Sequence, residues 1–142
     1  MTTANRTRRA RQTAQVQHLV EAALDDMKAV QVKVLDLTGL TDIADRMIVA
    51  SGNSDRHVRS IAERVVERVK AAGHRPLGVE GHREGEWVLV DLNDVVVHVM
   101  LPRVRELYGL ERLWEAPQGR VAALPRRTPR RKPPRLSERK PA

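Results

Sequence analysis

The segment GEWVLVDLNDVVVHVM (residues 85–100) places Asp91, Asp94 and His98 among valines and other apolar residues. Asp91, Asp94 and His98 are residue types that can hold a divalent cation or exchange protons with a substrate. Two strand carboxylates that bind Mg²⁺ together must lie on one face of a sheet. A tight turn predicted at Asn93–Asp94 separates Asp91 from Asp94, so their spacing does not place both on one strand face. Asp94 is better interpreted as a turn residue.

The segment SGNSD (51–55) is a second candidate for chemistry, because it leads from a predicted strand into a predicted helix. Backbone N–H groups at such a place can bind phosphate, but Asn53 or Ser54 can equally cap the helix. The histidines show no metal-ligand spacing, and the absence of cysteine excludes disulfides and thiolate zinc sites. We therefore predict no catalytic residues, no metal and no cofactor. A nucleotidyltransferase-like enzyme stays as a less favoured alternative.

The turn at Asn93–Asp94 also predicts how the two strands that flank it pair. One face of the hairpin is wholly aliphatic and is predicted to lie in the core: Val88, Val90, Leu92, Val95, Val97 and Val99. The other face is amphipathic: Trp87, Leu89, Asp91, Val96, His98 and Met100. Tryptophan and methionine are enriched at protein interfaces, which favours a partner-binding face. Alternatively, a helix covers this face, with His98 and Asp91 paired at its margin. The residues alone leave both interpretations open.

Periodicity and turn signals supply the elements that would position this hairpin. Helices are predicted at about 14–29, from Asp55 to Gly73, and at 104–114. Strands are predicted at 32–37, 46–51, 76–81, 86–92 and 94–100. The order α-β-β-α-β-β-β-α predicts a single α/β domain at residues 14–116, with a mixed β-sheet flanked by helices.

Charge is distributed unevenly along the chain, whose formal net charge is +8. Residues 1–15 contain four basic residues and no acid, and residues 117–142 contain nine basic residues and one acid. Residues 16–116 contain 13 basic and 17 acidic residues, which gives net −4. We predict disordered basic segments at 1–13 and 117–142 that could add an auxiliary rRNA contact. The acidic middle suits a basic protein surface.

No apolar run is long enough to span a membrane, and no apolar stretch follows the basic N-terminus. These features predict a cytoplasmic protein that lacks a secretory signal and does not act at a membrane.

Four motifs in this order carry a family resemblance: GNSDRHV, GVEG, EWVLVDLNDVVVHV and YGLERLW. Over roughly residues 16–115 the chain resembles the ribosomal silencing factor family, also called the Iojap family. The resemblance implies a nucleotidyltransferase-like fold without enzyme activity. It implies binding to the large ribosomal subunit through ribosomal protein uL14, which sterically blocks the small subunit and represses translation in stationary phase or starvation. Relatives in organelles are linked to large-subunit assembly, which is the alternative function, and some relatives are homodimers.

The resemblance implies that Trp87 contacts the partner. The predicted face adds Leu89, Asp91, Val96, His98 and Met100 to the contact residues. Arg105 and Tyr108 are predicted at the rim of the same surface.

Overall fold

The computed structural model describes residues 3–115, which form a five-stranded mixed sheet with helices on both faces. The elements are α1 Thr3–Asp26, β1 Val30–Asp36, β2 Arg46–Ser51, α2 Asp55–Ala71, β3 Gly78–Glu80, β4 Trp87–Asp91, β5 Val95–Met100, α3 Pro102–Tyr108 and α4 Leu110–Glu115. The strand order is β1-β2-β5-β4-β3, in which β2 and β5 are parallel and the other pairs are antiparallel. The predicted fold class is confirmed. Within residues 3–115 no helix is long and apolar enough to cross a membrane.

Helix α2 forms where its apolar stripe and its N-terminal cap agree. The Ser54 hydroxyl accepts a hydrogen bond from the backbone N–H of His57 at 3.0 Å, as an N-cap residue does. The stripe lies against the sheet, and its members are buried: Val58, Ile61, Ala62, Val65 and Val69. Together with α1, this helix covers the aliphatic face of the sheet and forms the main core.

The β4–β5 hairpin has the predicted register. Trp87 pairs with Met100, Leu89 with His98 and Asp91 with Val96. Asn93 has a positive φ of 78°, and the Leu92 N–H donates to the Val95 carbonyl across the two-residue turn. The aliphatic face of the hairpin is buried in the main core, as predicted: Val88, Val90, Leu92, Val95, Val97 and Val99. Because side chains alternate along a strand, the amphipathic residues all point to the opposite side of the sheet.

Helix α1 is longer than predicted at its N-terminal end. It begins at Thr3 rather than near residue 14 and ends at Asp26 rather than near residue 29. Residues 3–13, for which disorder was predicted, are thus helical in the structure. That segment contains no Gly or Pro and has four Arg and two Ala, which are good helix formers, although it lacks an apolar stripe. The predicted tail at 117–142 lies outside the described residues.

Ion pairs and burial tie this early part of α1 to the domain. Arg9 lies 3.2 Å from an Asp45 carboxylate oxygen and 3.1 Å from one of Asp94, so it bridges the β1–β2 connection and the hairpin turn. Thr13 is already buried one turn later. The arginine-rich segment thus contacts acids that lie far away in the chain.

The C-terminal helix is divided in two, where one helix over 104–114 was predicted. Gly109 adopts a left-handed conformation with φ of 53°, and its N–H donates to the Arg105 carbonyl, which ends α3. Helices α3 and α4 then fold over the second face of the sheet. A second core forms there: Leu35, Leu37, Met47, Val49, Met100 and Val104. A helical layer therefore covers part of the amphipathic face.

Candidate protein-binding face of the sheet

The amphipathic face divides into a covered part and an uncovered part. Met100 lies in the second core, where its exposure is 0 %. Towards the hairpin turn and the β3 edge, the side chains are partly exposed, and β3 adds Glu80, which pairs with Leu89. We call this uncovered part the open face, and its members are Glu80, Trp87, Leu89, Asp91 and Val96. It presents aliphatic and indole surface together with two carboxylates.

Trp87 lies at the border of the open face, where it packs against the second core. Its Nε1–H donates to His98 Nδ1 at 2.9 Å, and the two ring centroids lie 5.9 Å apart. The indole also contacts Tyr108: the two ring centroids lie 5.0 Å apart, and the ring planes are tilted by 49°. Aromatic pairs favour such tilted arrangements. The indole is thus supported by two neighbouring rings while part of it stays exposed.

His98 is buried beneath this tryptophan, with 8 % exposure. Desolvation lowers the pKa of the imidazole from 6.5 to about 4, so the ring is neutral at physiological pH. Since Nδ1 accepts the indole proton, the ring proton lies on Nε2. The interpretation that His98 pairs with Asp91 is wrong, because the hydrogen-bond partner of His98 is Trp87. One Asp91 carboxylate oxygen accepts the backbone N–H of Asn93 at the turn.

Three residues that were predicted to contact a partner are buried by the protein's own helices: His98, Met100 and Arg105. They expose 8 %, 0 % and 7 % of their surface, so they offer little area to a partner, and their contact with one stays a prediction. Strand alternation assigned the first two to the correct face. It could not show that α3 and α4 would fold over part of that face.

Arg105 points into the domain rather than to a rim. Its Nη1 donates to the Ser51 hydroxyl at 3.0 Å, while Nε and Nη2 donate to the two carboxylate oxygens of Glu111 at 2.8 and 3.1 Å. These hydrogen bonds hold the pKa of Glu111 below its usual value. Arg105 therefore joins α3 to α4 through Glu111 and to the end of β2 through Ser51.

The other predicted contact residues are partly exposed: Trp87, Leu89, Asp91, Val96 and Tyr108. Their role stays a prediction. Glu80 was left out of the predicted contact residues. Only its pairing with Leu89 in the sheet places it on the open face. Its Oε1 atom is buried and has no hydrogen-bond partner among the described residues.

The residues that suggested enzyme chemistry are used in the fold itself. In the SGNSD segment, the Gly52 N–H donates to the Met100 carbonyl and the Asn53 N–H to His57 Nδ1. The Asp94 carboxylate pairs with Arg9. Across residues 3–115, no three His, Asp or Glu side chains are grouped so that they could hold a metal ion. These contacts give no support to a phosphate-binding loop or to a pair of metal-binding carboxylates.

Comparison with known sequences gives a consistent set of relatives. The model of a family described as "Ribosomal silencing factor during starvation" matches residues 9–142. A ribosomal silencing factor of Chromobacterium violaceum is 49 % identical over 100 residues, which is 70 % of this chain and 82 % of that protein. The ribosomal silencing factor of Bacillus subtilis is 41 % identical over 96 residues, which is 68 % of this chain and 81 % of that protein.

Two solved structures resemble this fold. A crystal structure of a Chromobacterium violaceum protein has a TM-score of 0.71 at 48 % identity, covering 72 % of this chain and 86 % of that one. A Bacillus halodurans structure has a TM-score of 0.66 at 37 % identity, covering 71 % and 94 %. These two proteins are therefore similar to this chain in sequence as well as in fold.

Proposed function

The chain belongs to the ribosomal silencing factor family, and from this premise we propose that it binds the large ribosomal subunit and sterically blocks association with the small subunit. Such a block represses translation, and we propose that it acts in the cytoplasm during stationary phase or starvation. The observation that carries the proposal is the open face, a partly exposed aromatic and aliphatic surface with carboxylates. Steric exclusion requires affinity and bulk but no reaction.

The proposed protein contact is ribosomal protein uL14 of the large subunit. Trp87, Leu89 and Val96 would form the apolar centre of the interface, with Tyr108 beside the indole. Asp91 would supply negative charge at the margin. Ribosomal proteins present basic patches, and residues 16–116 of this chain are net acidic, so the charges are complementary.

An auxiliary rRNA contact would come from the basic segments at both ends of the chain. At the N-terminal end, the segment belongs to α1, where Arg9 is occupied by Asp45 and Asp94. Arg8 and Arg11 are exposed on the same helix. Arginines of this kind contact phosphate oxygens without reading base sequence, so they would add affinity and not specificity.

The proposal is tested by sedimentation of the protein with purified large subunits, together with a light-scattering assay of subunit joining. Trp87→Ala should weaken binding by roughly 30-fold, since a large aromatic at the centre of an interface is worth about 2 kcal/mol or more. The same variant should release the block on subunit joining. Val32→Ala is the matched control: Val32 is 42 % exposed on β1, the opposite edge of the sheet, and this variant should bind like the wild type.

Two results would contradict the proposal. If the wild type does not sediment with large subunits, the ribosomal function fails. If Trp87→Ala binds as tightly as Val32→Ala, the open face is not the silencing surface. Size-exclusion chromatography of the same samples would report the homodimer expected from the resemblance.

Large-subunit assembly is a second candidate function. The mouse protein named "Mitochondrial assembly of ribosomal large subunit protein 1" is 36 % identical to this chain over 73 residues, which is 49 % of this chain and 32 % of the mouse protein. Deleting the gene would then cause precursor large subunits to accumulate in growing cells. The silencing function predicts instead normal large subunits and a failure to reduce translation on starvation.

A further inference from the structure

The role of His98 follows from its place beneath the open face. It lies on β5 directly opposite Leu89, is 8 % exposed, and accepts the indole N–H of Trp87 at 2.9 Å. A residue at this depth offers a partner little surface. It does touch Trp87, the partly exposed aromatic residue on which the proposed interface is centred.

We propose that His98 is a positioning residue for Trp87: by accepting the indole N–H, it holds the ring in one orientation, so that the partner meets a fixed ring surface. The inference rests on the proposed function of the open face. It assigns to His98 an indirect role in binding that operates through a single hydrogen bond.

The chemistry of indole makes this one bond decisive. Tryptophan has a single polar hydrogen, so once Nε1–H is given to His98 the side chain has no donor left for a partner. Tyr108 supports the ring from a second direction, at a centroid distance of 5.0 Å. Rotation of the indole would break the hydrogen bond and the ring contact together. A ring that is held before binding loses less conformational entropy when the partner docks.

The same hydrogen bond limits which chemical groups of a partner can pack on the indole of Trp87. With its donor occupied, the indole offers carbon surface and π-electron density. A partner group over the ring is therefore aliphatic, or it is the cation of a lysine or arginine, which is attracted to an indole face within about 6 Å. A hydrogen-bond acceptor of the partner would find no donor at this position.

The first test observes the indole without any ribosome. In ¹⁵N-labelled protein the two tryptophans, Trp87 and Trp114, give two indole N–H signals, and Trp87→Phe identifies the one of Trp87. His98→Leu should shift that signal and increase its exchange with water, because the acceptor is lost. His98→Asn should restore it, since the Asn amide oxygen can take the place of Nδ1. A Trp87 signal that is unchanged in His98→Leu would overturn the proposal.

The second test is a double-mutant cycle on binding to large subunits. His98→Leu should weaken binding by roughly five- to ten-fold, the range that a lost hydrogen bond produces. In a Trp87→Phe background, where the donor is already absent, the same change should have no further effect. His98→Asn should recover most of the lost affinity. Equal losses in both backgrounds would show that His98 acts independently of Trp87 and would overturn the proposal.

The two tests separate failure of this inference from failure of the proposed function. If wild-type protein does not bind large subunits, the ribosomal function is lost, and the indole signal alone then decides whether His98 positions Trp87. If the His98→Leu protein does not fold, two other variants test the proposal. Trp87→Phe must lose affinity for large subunits, and His98→Asn must keep the Trp87 indole N–H signal.

Discussion

For single residues, sequence patterns predicted the face of the sheet but not the burial of the side chain. Alternation of side chains placed Trp87 and His98 on the same face of the hairpin, and the structure confirms that placement. The pattern could not distinguish the exposed member from the buried one, because exposure depends on helices that lie outside the hairpin. The assumption that a buried imidazole pairs with a carboxylate was wrong here, since the nearest suitable group was the indole N–H. Polar residues among valines are thus buried at His98 and partly exposed at Asp91.

Burial of His98 makes the stability of the fold depend on pH. The unfolded chain binds a proton at the ordinary imidazole pKa of 6.5, whereas burial lowers the pKa in the folded protein to about 4. Between these values the unfolded state holds more protons, so the free energy of unfolding falls as pH decreases from 6.5 to about 4. The shift corresponds to roughly 3 kcal/mol at about 1.4 kcal/mol per pH unit. Above pH 6.5 this contribution is fully present.

Urea unfolding of the wild type and of His98→Leu measures this term directly. The variant has no imidazole to protonate, so its disadvantage relative to the wild type should shrink by that amount between neutral pH and about pH 4. Subtracting one protein from the other removes the contributions of Asp36 and Glu111, whose pKa values are also lowered and which both proteins share. Parallel pH curves for the two proteins would contradict the prediction.

At the scale of elements, local patterns fixed the strands and the register, while contacts between distant segments decided the rest. The Asn93–Asp94 turn and the alternation around it determine which residues pair, and both are visible in a short window of sequence. The first turns of α1 have no apolar stripe, and Arg9 within them pairs with Asp45 and Asp94. No local pattern indicates such a pairing. Gly109 similarly signals a helix end but not where the next helix will pack.

The attachment of α4 is the element-level contact that can be tested most sharply. Arg105 is 7 % exposed and holds both oxygens of Glu111 as well as the Ser51 hydroxyl. Arg105→Leu should lower the free energy of unfolding by roughly 2–4 kcal/mol, because it leaves a partly buried carboxylate without its cation. Removing Glu111 as well, in Arg105→Leu/Glu111→Leu, should recover part of the loss. Urea unfolding curves provide the measurement.

Arg103→Leu is the matched control on the same helix. Arg103 is paired with Glu86 at 3.6 Å, but its side chain is 69 % exposed. Solvent screens such a pair, so this change should cost less than about 1 kcal/mol. If the two arginine variants lose the same stability, burial of the Arg105–Glu111 pair does not determine its contribution.

The whole molecule separates its charges between the domain and the ends of the chain. Residues 16–116 are net acidic and include the open face, whereas residues 117–142 carry nine basic residues and one acid. An acidic protein surface and a basic segment attract different partners on a ribosome, which presents basic proteins and rRNA phosphates. The two attractions also respond differently to salt: phosphate contacts release counterions, while burial of an indole does not.

Salt dependence therefore distinguishes the two contributions to ribosome binding. We expect the logarithm of the binding constant to fall with the logarithm of salt concentration, with a slope of about 0.7–0.9 for each phosphate contacted. Removing residues 117–142 should flatten this slope while most of the affinity at moderate salt is kept. Trp87→Ala should lower the affinity by a similar factor at every salt concentration and leave the slope unchanged. Loss of binding by the truncated protein at all salt concentrations would assign binding to the basic segment, and an unchanged slope would show that this segment does not contact rRNA.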